Sequence, residues 1–283
     1  MEYIWFKDRM EKDFVPEGYQ ESWEEVMEPV KNEINGRFVE KGYGTVIQSS
    51  EEIDKVFTAV FPSEKVVDRI IDKKERNRGA VLFTHHPATW DITAEKPFRA
   101  MGKEKIREMR EENLSLFTLH GPLDRYGQYS TSAALATALG LNPEGGFGKE
   151  NGVLNGAVCS TEIEKVEELK ERLEQILGHR ADIKKYGDDH LGKVGILPGG
   201  GIKKKFLEEM VEKRTYTAVS GITVRNSHSE KAHRYAEEQG INILGGTHYT
   251  TEKFAMQKLC GYLDSLMVES EFIEGEPCMA DIE

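Results

Sequence analysis

The stretch VFTAVFPSEKVVDRIIDKKERNRGAVLFTHHP, residues 56–87, decides the fold class. Its two short apolar segments, VFTAVFP and AVLFT, predict buried strands. Between them, Ser63 is a favourable N-cap, and apolar residues that include Val67 and Ile70 recur on one face of a helix. The stretch therefore predicts a β-α-β unit, in which parallel strands are joined by a right-handed crossover.

The same alternation continues along the chain. Further strands are predicted at LSLFTLH, GVLNGAVC, KVGILP, YTAVSGITV and INILGG. Further helices are predicted at about residues 98–112 and in STSAALATALGL, STEIEKVEELKERLEQIL, KKKFLEEMVEKR, HSEKAHRYAEEQG and TEKFAMQKLCGYLDSLM. This order predicts an α/β protein with two α/β lobes and mostly parallel mixed sheets flanked by helices. We expect residues 1–127 with 241–283 to form the first lobe and residues 128–240 to form the second.

Three segments have a weaker pattern. The first fifty residues suggest only a helix at WEEVMEPVKNEI, interrupted by Pro29. The glycine-rich segment NPEGGFGKENG, residues 142–152, predicts a linker or loop. The acidic tail VESEFIEGEPCMADIE is expected to be loosely attached.

Composition and charge exclude several classes of protein. The hydrophobic fraction of 38% in a chain of 283 residues is enough for a sizeable core. The net charge of −12 repels phosphate backbones, so nucleic-acid binding is disfavoured. The three cysteines lack metal-binding spacing and are expected to be reduced thiols. Neither a signal peptide nor a membrane span is expected, and the expected location is the cytoplasm.

Residues that commonly bind metals follow three of the predicted strands. In chain order they are His85, His86, His120, Asp124, His248 and Glu252. Ligands bind at the carboxyl ends of strands in open α/β sheets, so these side chains can converge on one crevice. Imidazole and carboxylate groups suit zinc, manganese, iron or nickel. Two ions roughly 3.5–4 Å apart would use all of these groups.

Each feature alone also has an ordinary structural explanation. A pair such as His85 and His86 is often a surface or hydrogen-bonding feature, and an HxxxE pattern on a helix usually lies on a solvated face. Asp124 follows Gly121 and Pro122, which is typical of a turn. The case for metal binding depends on all three features following strands.

Two other motifs are better explained by a structural role than by ligand binding or catalysis. LPGGGIKKKF, residues 197–206, runs from strand through glycines to helix, as phosphate-binding loops do. It departs from the established phosphate-binding spacings, so a flexible turn followed by a basic first helical turn is the better interpretation. Ser220 does not lie in a GxSxG motif, so the sequence does not support it as a catalytic nucleophile. Trp90 and Asp91 are expected to pack as a loop.

The ordered set VLFTHHP, LFTLHGPLD and GGTHYTTEKF resembles the dinuclear-metal family called Nif-three-like (NGG-one-interacting factor three), whose members are known as GTP cyclohydrolase I type 2 homologues. The resemblance covers about residues 56–267. It implies a two-lobed α/β fold, a two-metal site in the cleft between the lobes, and assembly into a homohexamer. The metal ligands implied by motif position are His85, His86, Asp124, His248 and Glu252. His120 matches a histidine near the site and is a weaker candidate for direct contact.

The sequence also departs from this family. HHPATWD replaces the aliphatic residues that usually follow HHP, and HGPLD replaces the usual HTNLD. SGIT stands where members commonly have TGE or TGD. The predicted metal ligands are retained, whereas the residues expected around a substrate differ.

Three functions are compatible with these features. The first is a metal-dependent hydrolase of the GTP cyclohydrolase I type 2 kind, which acts on a nucleotide or related small molecule. Its two divalent ions would activate water, and His120 and Glu252 would be the catalytic residues. The second is a non-catalytic metal-binding assembly or regulatory protein. The third is an α/β binding domain without metal.

Overall fold

The computed structural model describes residues 1–227 and 229–283 and divides into two compact units. Unit 1 contains Met1–Leu123 and Met256–Glu276, and unit 2 contains Asp124–Ala255 and Pro277–Glu283. The first residue of the predicted helix HSEKAHRYAEEQG, His228, lies outside the described residues.

Both units combine helices with a mixed sheet. The helices are α1 (Tyr3–Phe14), α2 (Glu24–Met27), α3 (Gly36–Lys41), α4 (Glu64–Lys73), α5 (Lys103–Glu111), α6 (Gly121–Asp124), α7 (Thr131–Ala138), α8 (Val166–Leu177), α9 (Lys204–Glu212), α10 (Glu230–Gln239) and α11 (His248–Ser265). The strands are β1 (Gly44–Ile47), β2 (Lys55–Ala59), β3 (Ala80–Thr84), β4 (Thr89–Trp90), β5 (Phe98–Arg99), β6 (Leu114–Thr118), β7 (Asn142–Glu150), β8 (Val153–Ser160), β9 (Asp182–Lys184), β10 (Lys193–Leu197), β11 (Thr215–Ser220), β12 (Asn242–Gly245) and β13 (Ser270–Phe272). Short 3-10 helices cover Glu28–Glu33 and Met279–Asp281.

The sheet of unit 1 has the strand order β1-β6-β3-β2-β13. Strands β6, β3, β2 and β13 are parallel, and β1 is antiparallel to β6. The predicted β-α-β unit is present as β2, α4 and β3. The Ser63 hydroxyl accepts a hydrogen bond from the Val66 N–H at 3.3 Å and so caps α4 as predicted.

The sheet of unit 2 has the order β7-β8-β10-β11-β12-β9. Strands β10, β11 and β12 are parallel, whereas the remaining pairs are antiparallel. The prediction of a loop at residues 142–152 is wrong, because most of this segment is β7, paired with β8. A Cβ at Gly146 would lie 2.9 Å from Cβ and Cγ of Tyr126, so the glycine here makes room for an aromatic residue.

The unit boundaries differ from the expected lobes. Strand β12 pairs with β11 inside the second sheet, so residues 241–255 belong to unit 2. The last seven residues also belong to unit 2, whereas Met256–Glu276 belongs to unit 1. The boundary depends on which strands are the neighbours of β12 in the sheet. Hydrophobic periodicity identifies a strand but not its hydrogen-bonded neighbours, so the sequence could not predict this boundary.

Both chain ends are more ordered than the sequence suggests. The N-terminal helix α1 places Phe6 edge-on to Phe83 and Phe117, with ring centroids 6.2 and 5.3 Å away. In the tail, β13 pairs with β2, and Asp281 is completely buried. The prediction of a loosely attached tail is therefore wrong. None of the helices in the described residues combines the length and hydropathy of a membrane span.

Candidate metal centre

Three histidines of unit 1 lie together at the carboxyl ends of neighbouring parallel strands. His85 and His86 follow β3, and His120 follows β6, which pairs with β3. Candidate ligand atoms of the three side chains all lie within 4.8 Å of one another. His85 and His86 are buried, while His120 is partly exposed. The arrangement is one that can hold a metal ion.

Hydrogen bonds orient two of these rings. Nδ1 of His85 lies 3.2 Å from the carbonyl oxygen of Leu119, and Nδ1 of His120 lies 2.7 Å from Oε2 of Glu21. A protonated Nδ1 donates in both contacts, which leaves each Nε2 as the nitrogen that can bind a metal. The same Glu21 carboxylate accepts from the Gly121 N–H at 3.3 Å. Glu21 therefore fixes both the histidine and the chain that follows it.

Aromatic side chains enclose the histidines. The Phe61 ring stacks on His86, with centroids 4.7 Å apart and an interplanar angle of 18°. Trp23 meets His120 edge-on at 5.0 Å and is only 8% exposed. These rings exclude water from part of the cluster and restrict the imidazole rotamers, so the ligand set is preorganised.

Unit 2 contains a second group of potential ligands. His248 and Glu252 lie one turn apart at the start of α11, with 3.2 Å between Nε2 and Oε1, and each side chain is 4% exposed. The His248 N–H donates to Oδ2 of the buried Asp281 at 2.8 Å. An acidic side chain at a helix N-terminus satisfies a backbone donor and interacts favourably with the helix dipole. Asp281 thus anchors the turn that carries both potential ligands.

The glycine run of LPGGGIKKKF packs against this pair. Gly199 has a φ of +59°, and its N–H donates to Oγ1 of Thr251 at 3.0 Å. A Cβ at Gly199 would lie 2.1 Å from Oε1 of Glu252 and 2.9 Å from the His248 ring. Only glycine fits this close approach, so the run shapes the surroundings of the ligand pair.

The lysines that follow the glycine run are paired with carboxylates. Lys203 and Lys205 both contact Glu150, and Lys204 lies 2.7 Å from Glu208. Their charges are therefore balanced locally. The structure favours the prediction of a turn over that of a phosphate-binding loop, although the turn is a packed one.

The remaining two acids have different surroundings. Asp124 ends the single turn α6, and its Oδ1 accepts a hydrogen bond from the Thr131 hydroxyl at 2.8 Å. Asp91 accepts from the N–H and hydroxyl of Thr93, and these bonds lower the pKa of its carboxyl group. Arg99 also lies 3.3 Å from Asp91. Asp91 is thus part of a local turn, as expected.

Sequence reasoning missed three residues that support these groups. Glu21 lies 99 positions from its partner His120, and Asp281 lies 33 positions from His248. Neither separation produces a recognisable motif. Gly199 stood in a conspicuous glycine run, but its contact with Glu252 could not be seen without the fold.

Fold and side chains together define a class: a mixed α/β protein in which three clustered histidines of unit 1 could hold a metal ion and unit 2 contains a buried histidine–glutamate pair. The sequence profile described as Duf34/NIF3 (NGG1p interacting factor 3) matches residues 41–278. The chain therefore belongs to the Duf34/NIF3 family, which confirms the resemblance recognised in its motifs.

Individual relatives agree with this family. A protein of Archaeoglobus fulgidus named GTP cyclohydrolase 1 type 2 homolog is 28% identical over 243 residues, 86% of this chain and 92% of the relative. A protein of the same name from Vibrio cholerae is 27% identical over 227 residues, 78% of this chain and 83% of the relative. The names describe those relatives.

Solved structures share the fold. Staphylococcus aureus hypothetical protein SA1388 superposes with a TM-score of 0.70 and 17% identity, covering 97% of both chains. Reduced HcgD from Methanocaldococcus jannaschii has a TM-score of 0.63 and 24% identity, covering 90% of this chain and 98% of its own. At these identities the likeness concerns the fold alone.

Proposed function

We propose that this protein is a divalent-metal-dependent hydrolase with a dinuclear centre, acting on a nucleotide or related small molecule. The proposed metal ligands are His85, His86, Asp124, His248 and Glu252. The observation that carries the proposal is the convergence of His85, His86 and His120 in unit 1, with candidate ligand atoms within 4.8 Å of one another. Such a convergence costs desolvation and ring ordering, which metal binding would offset.

The donor set fits a borderline divalent cation. Imidazole nitrogens with a few carboxylate oxygens suit zinc, manganese, iron or nickel, and two ions per chain would use five ligands. The Leu119 carbonyl and the Glu21 carboxylate orient ring nitrogens in the way that supporting groups do in metal sites.

When bound, the ions would lower the pKa of a water molecule and polarise the scissile bond. We assign proton transfer at Nε2 to His120, because its Nδ1 lies 2.7 Å from the Glu21 carboxylate, which orients the ring. Glu252, within reach of the His248 ring at 3.2 Å, is the proposed carboxylate base. Trp23 and Phe61 exclude water from the side of the histidines that they cover.

A turnover assay tests the catalytic part of the proposal. GTP, other nucleoside triphosphates and simple phosphoesters are incubated with protein loaded with Mn²⁺ or Zn²⁺. We expect hydrolysis that Glu252→Gln abolishes and that Glu171→Gln, an exposed acid on α8, leaves unchanged. GTP is the first substrate to test because relatives carry the name GTP cyclohydrolase 1 type 2 homolog.

Metal binding without turnover on any of these compounds would contradict the hydrolase and favour the non-catalytic metal-binding assembly.

The oligomeric state is part of the same proposal: we expect a homohexamer in the cytoplasm. Sedimentation equilibrium of the full chain should give six times the chain mass of 32.1 kDa. A monomer at micromolar concentration would contradict the hexamer but leave the metal centre intact.

A further inference from the structure

An open groove at one edge of the unit 1 sheet collects exposed apolar side chains. Its volume is about 540 Å³, and its lining includes Trp5 of α1 together with Leu266 and Met267, which follow α11. Among the described residues, the large hydrophobic side chains that are exposed are Met1, Ile4, Trp5, Leu154, Tyr216 and Met267. Most of them line the groove or neighbour it in sequence, and such a cluster indicates an interaction surface.

The groove is distinct from the candidate metal centre. Asp54, which precedes β2, and Glu269, which precedes β13, both line it. Strands β13, β2 and β3 are parallel, so the groove lies at their amino ends. His85 follows β3 at its carboxyl end. The groove and the histidines therefore occupy opposite edges of one sheet.

Trp5 presents an open ring surface in this groove. It is 43% exposed, and no aromatic ring of the described residues stacks on its indole. Its neighbours Tyr3 and Phe6 are buried on the inner face of α1, which fixes the helix to the core. A large apolar side chain held in this way is typical of the residues that dominate binding at protein interfaces.

Met267 adds a second apolar side chain that packs against little of its own chain. It is 95% exposed and has a φ of +59°, in the left-handed region that glycine or asparagine usually occupies after a helix. A methionine at this position costs conformational free energy without gaining burial. Contact with a partner would supply that burial, and the flexible thioether adapts to many partner surfaces.

Unpaired acidic side chains lie beside the groove. Glu2 lines it and forms a β-bridge with Glu52, while the Glu51 carbonyl accepts the Tyr3 N–H at 2.7 Å. All three glutamates are exposed, and none of them forms an ion pair within the described part of the chain. The whole chain is also acidic, with a net charge of −12. The surroundings of the groove therefore favour a cationic partner.

The other acids of the lining are already neutralised. Asp54 lies 3.1 Å from Arg78, and Glu269 lies 3.2 Å from Lys55. The unpaired glutamates therefore set the sign of the local charge. A second copy of this chain that docked here by two-fold symmetry would place these glutamates opposite one another, which is unfavourable.

We propose that the groove is the docking site for a basic amphipathic helix of a partner protein. The apolar face of that helix would cover Trp5 and Met267, and its lysines or arginines would meet the glutamates beside the groove. This interaction goes beyond the proposed hydrolase, because the groove contains none of the metal-centre residues.

The test uses two synthetic amphipathic peptides of about 18 residues, with leucine on one helical face and either lysine or glutamate on the other. Fluorescence anisotropy of the labelled peptides measures their binding to the full-length protein. We expect the lysine peptide to bind with micromolar affinity, at least about tenfold more tightly than the glutamate peptide. Trp5→Gln should weaken binding of the lysine peptide about tenfold to a hundredfold.

Two further variants separate docking from folding. Met267→Gly should weaken binding about threefold to tenfold, although glycine suits the positive φ and should not lower the midpoint of thermal unfolding. Leu154→Gln is the matched control, because it removes an apolar side chain of unit 2 that is 38% exposed and should leave binding unchanged.

The alternatives give different results. A lysine peptide that binds the wild type no more tightly than the glutamate peptide overturns the proposal, as does equal binding to the wild type, Trp5→Gln and Met267→Gly. A groove that joins copies of this chain would make Trp5→Gln reduce the mass measured by sedimentation equilibrium, which would also overturn it. The affinity should be the same with Mn²⁺ and with a chelator, so failure of the metal centre would leave this result unaffected.

Discussion

Replacing Asp281 tests whether the C-terminal segment holds the potential ligands of α11. The carboxylate is fully buried and accepts the His248 N–H at 2.8 Å. Removing a charged acceptor from a buried N–H costs about 1.5–3 kcal/mol, and the lost interaction with the helix dipole adds about 0.3–1 kcal/mol. Asp281→Ala should therefore lower the free energy of unfolding by roughly 2–4 kcal/mol. Asp281→Asn keeps an acceptor oxygen and should cost about 1 kcal/mol.

Thermal unfolding followed by circular dichroism measures this effect. The alanine variant should unfold roughly 4–16 °C below the wild type, at about 2–4 °C per kcal/mol. Glu283→Gln is the matched control, because Glu283 forms an exposed ion pair with Arg180 and should shift the midpoint by no more than about 2 °C. Competition with a chromophoric chelator should show about 10- to 100-fold weaker metal binding for Asp281→Ala. A midpoint and a metal affinity both equal to the wild type would refute the anchoring role.

Three further predictions concern other residues. Gly199→Ala forces a Cβ against Glu252 at a positive φ and should lower the free energy of unfolding, measured in urea, by at least about 1–2 kcal/mol. The control is Gly200→Ala, whose Cβ would be 3.6 Å from its nearest neighbour and which should change this free energy little. Equal effects of the two substitutions would contradict the close packing. Glu21→Gln should lower the rate of hydrolysis by metal-loaded protein about 10- to 100-fold because it loosens His120, the proposed proton-transfer residue, and an unchanged rate would exclude that role. Burial lowers the pKa of His233, so the unfolded chain takes up a proton more readily and the free energy of unfolding falls below about pH 6.5. In urea unfolding, His233→Gln should reduce the slope of the free energy of unfolding against pH by up to about 1.4 kcal/mol per pH unit. A pH profile identical to that of the wild type would contradict the assignment of this pH dependence to His233.

The sequence predicted those parts of the fold that depend on local pattern. Strand β3 is a continuous apolar run, and α4 has an N-cap at Ser63 together with a buried apolar face. Both signals lie within a few residues of the structure they specify. The histidines at the ends of β3 and β6 were predicted to converge because these strands are parallel, and within unit 1 they do.

The parts that sequence could not predict depend on contacts between distant segments. Strand β7 looked like a loop because its glycines are permissive, and the packing of Tyr126 against Gly146 explains one of them. Glu21 lies in an N-terminal region without clear periodicity, and its role exists only through His120. The acidic tail resembled a solvated chain end, yet Asp281 in this tail is buried. Its carboxylate accepts a hydrogen bond from the first residue of α11, and this contact offsets the cost of burying the carboxylate.

The most direct test of the central claim is an anomalous diffraction measurement on crystals of the full chain grown with Mn²⁺ or Zn²⁺. We expect two anomalous peaks per chain, each about 2.0–2.3 Å from ligand atoms of the five proposed side chains. The variant carrying His85→Ala and His86→Ala should lose at least one of these peaks. A wild-type chain that shows fewer than two peaks under metal-replete conditions would contradict the dinuclear centre.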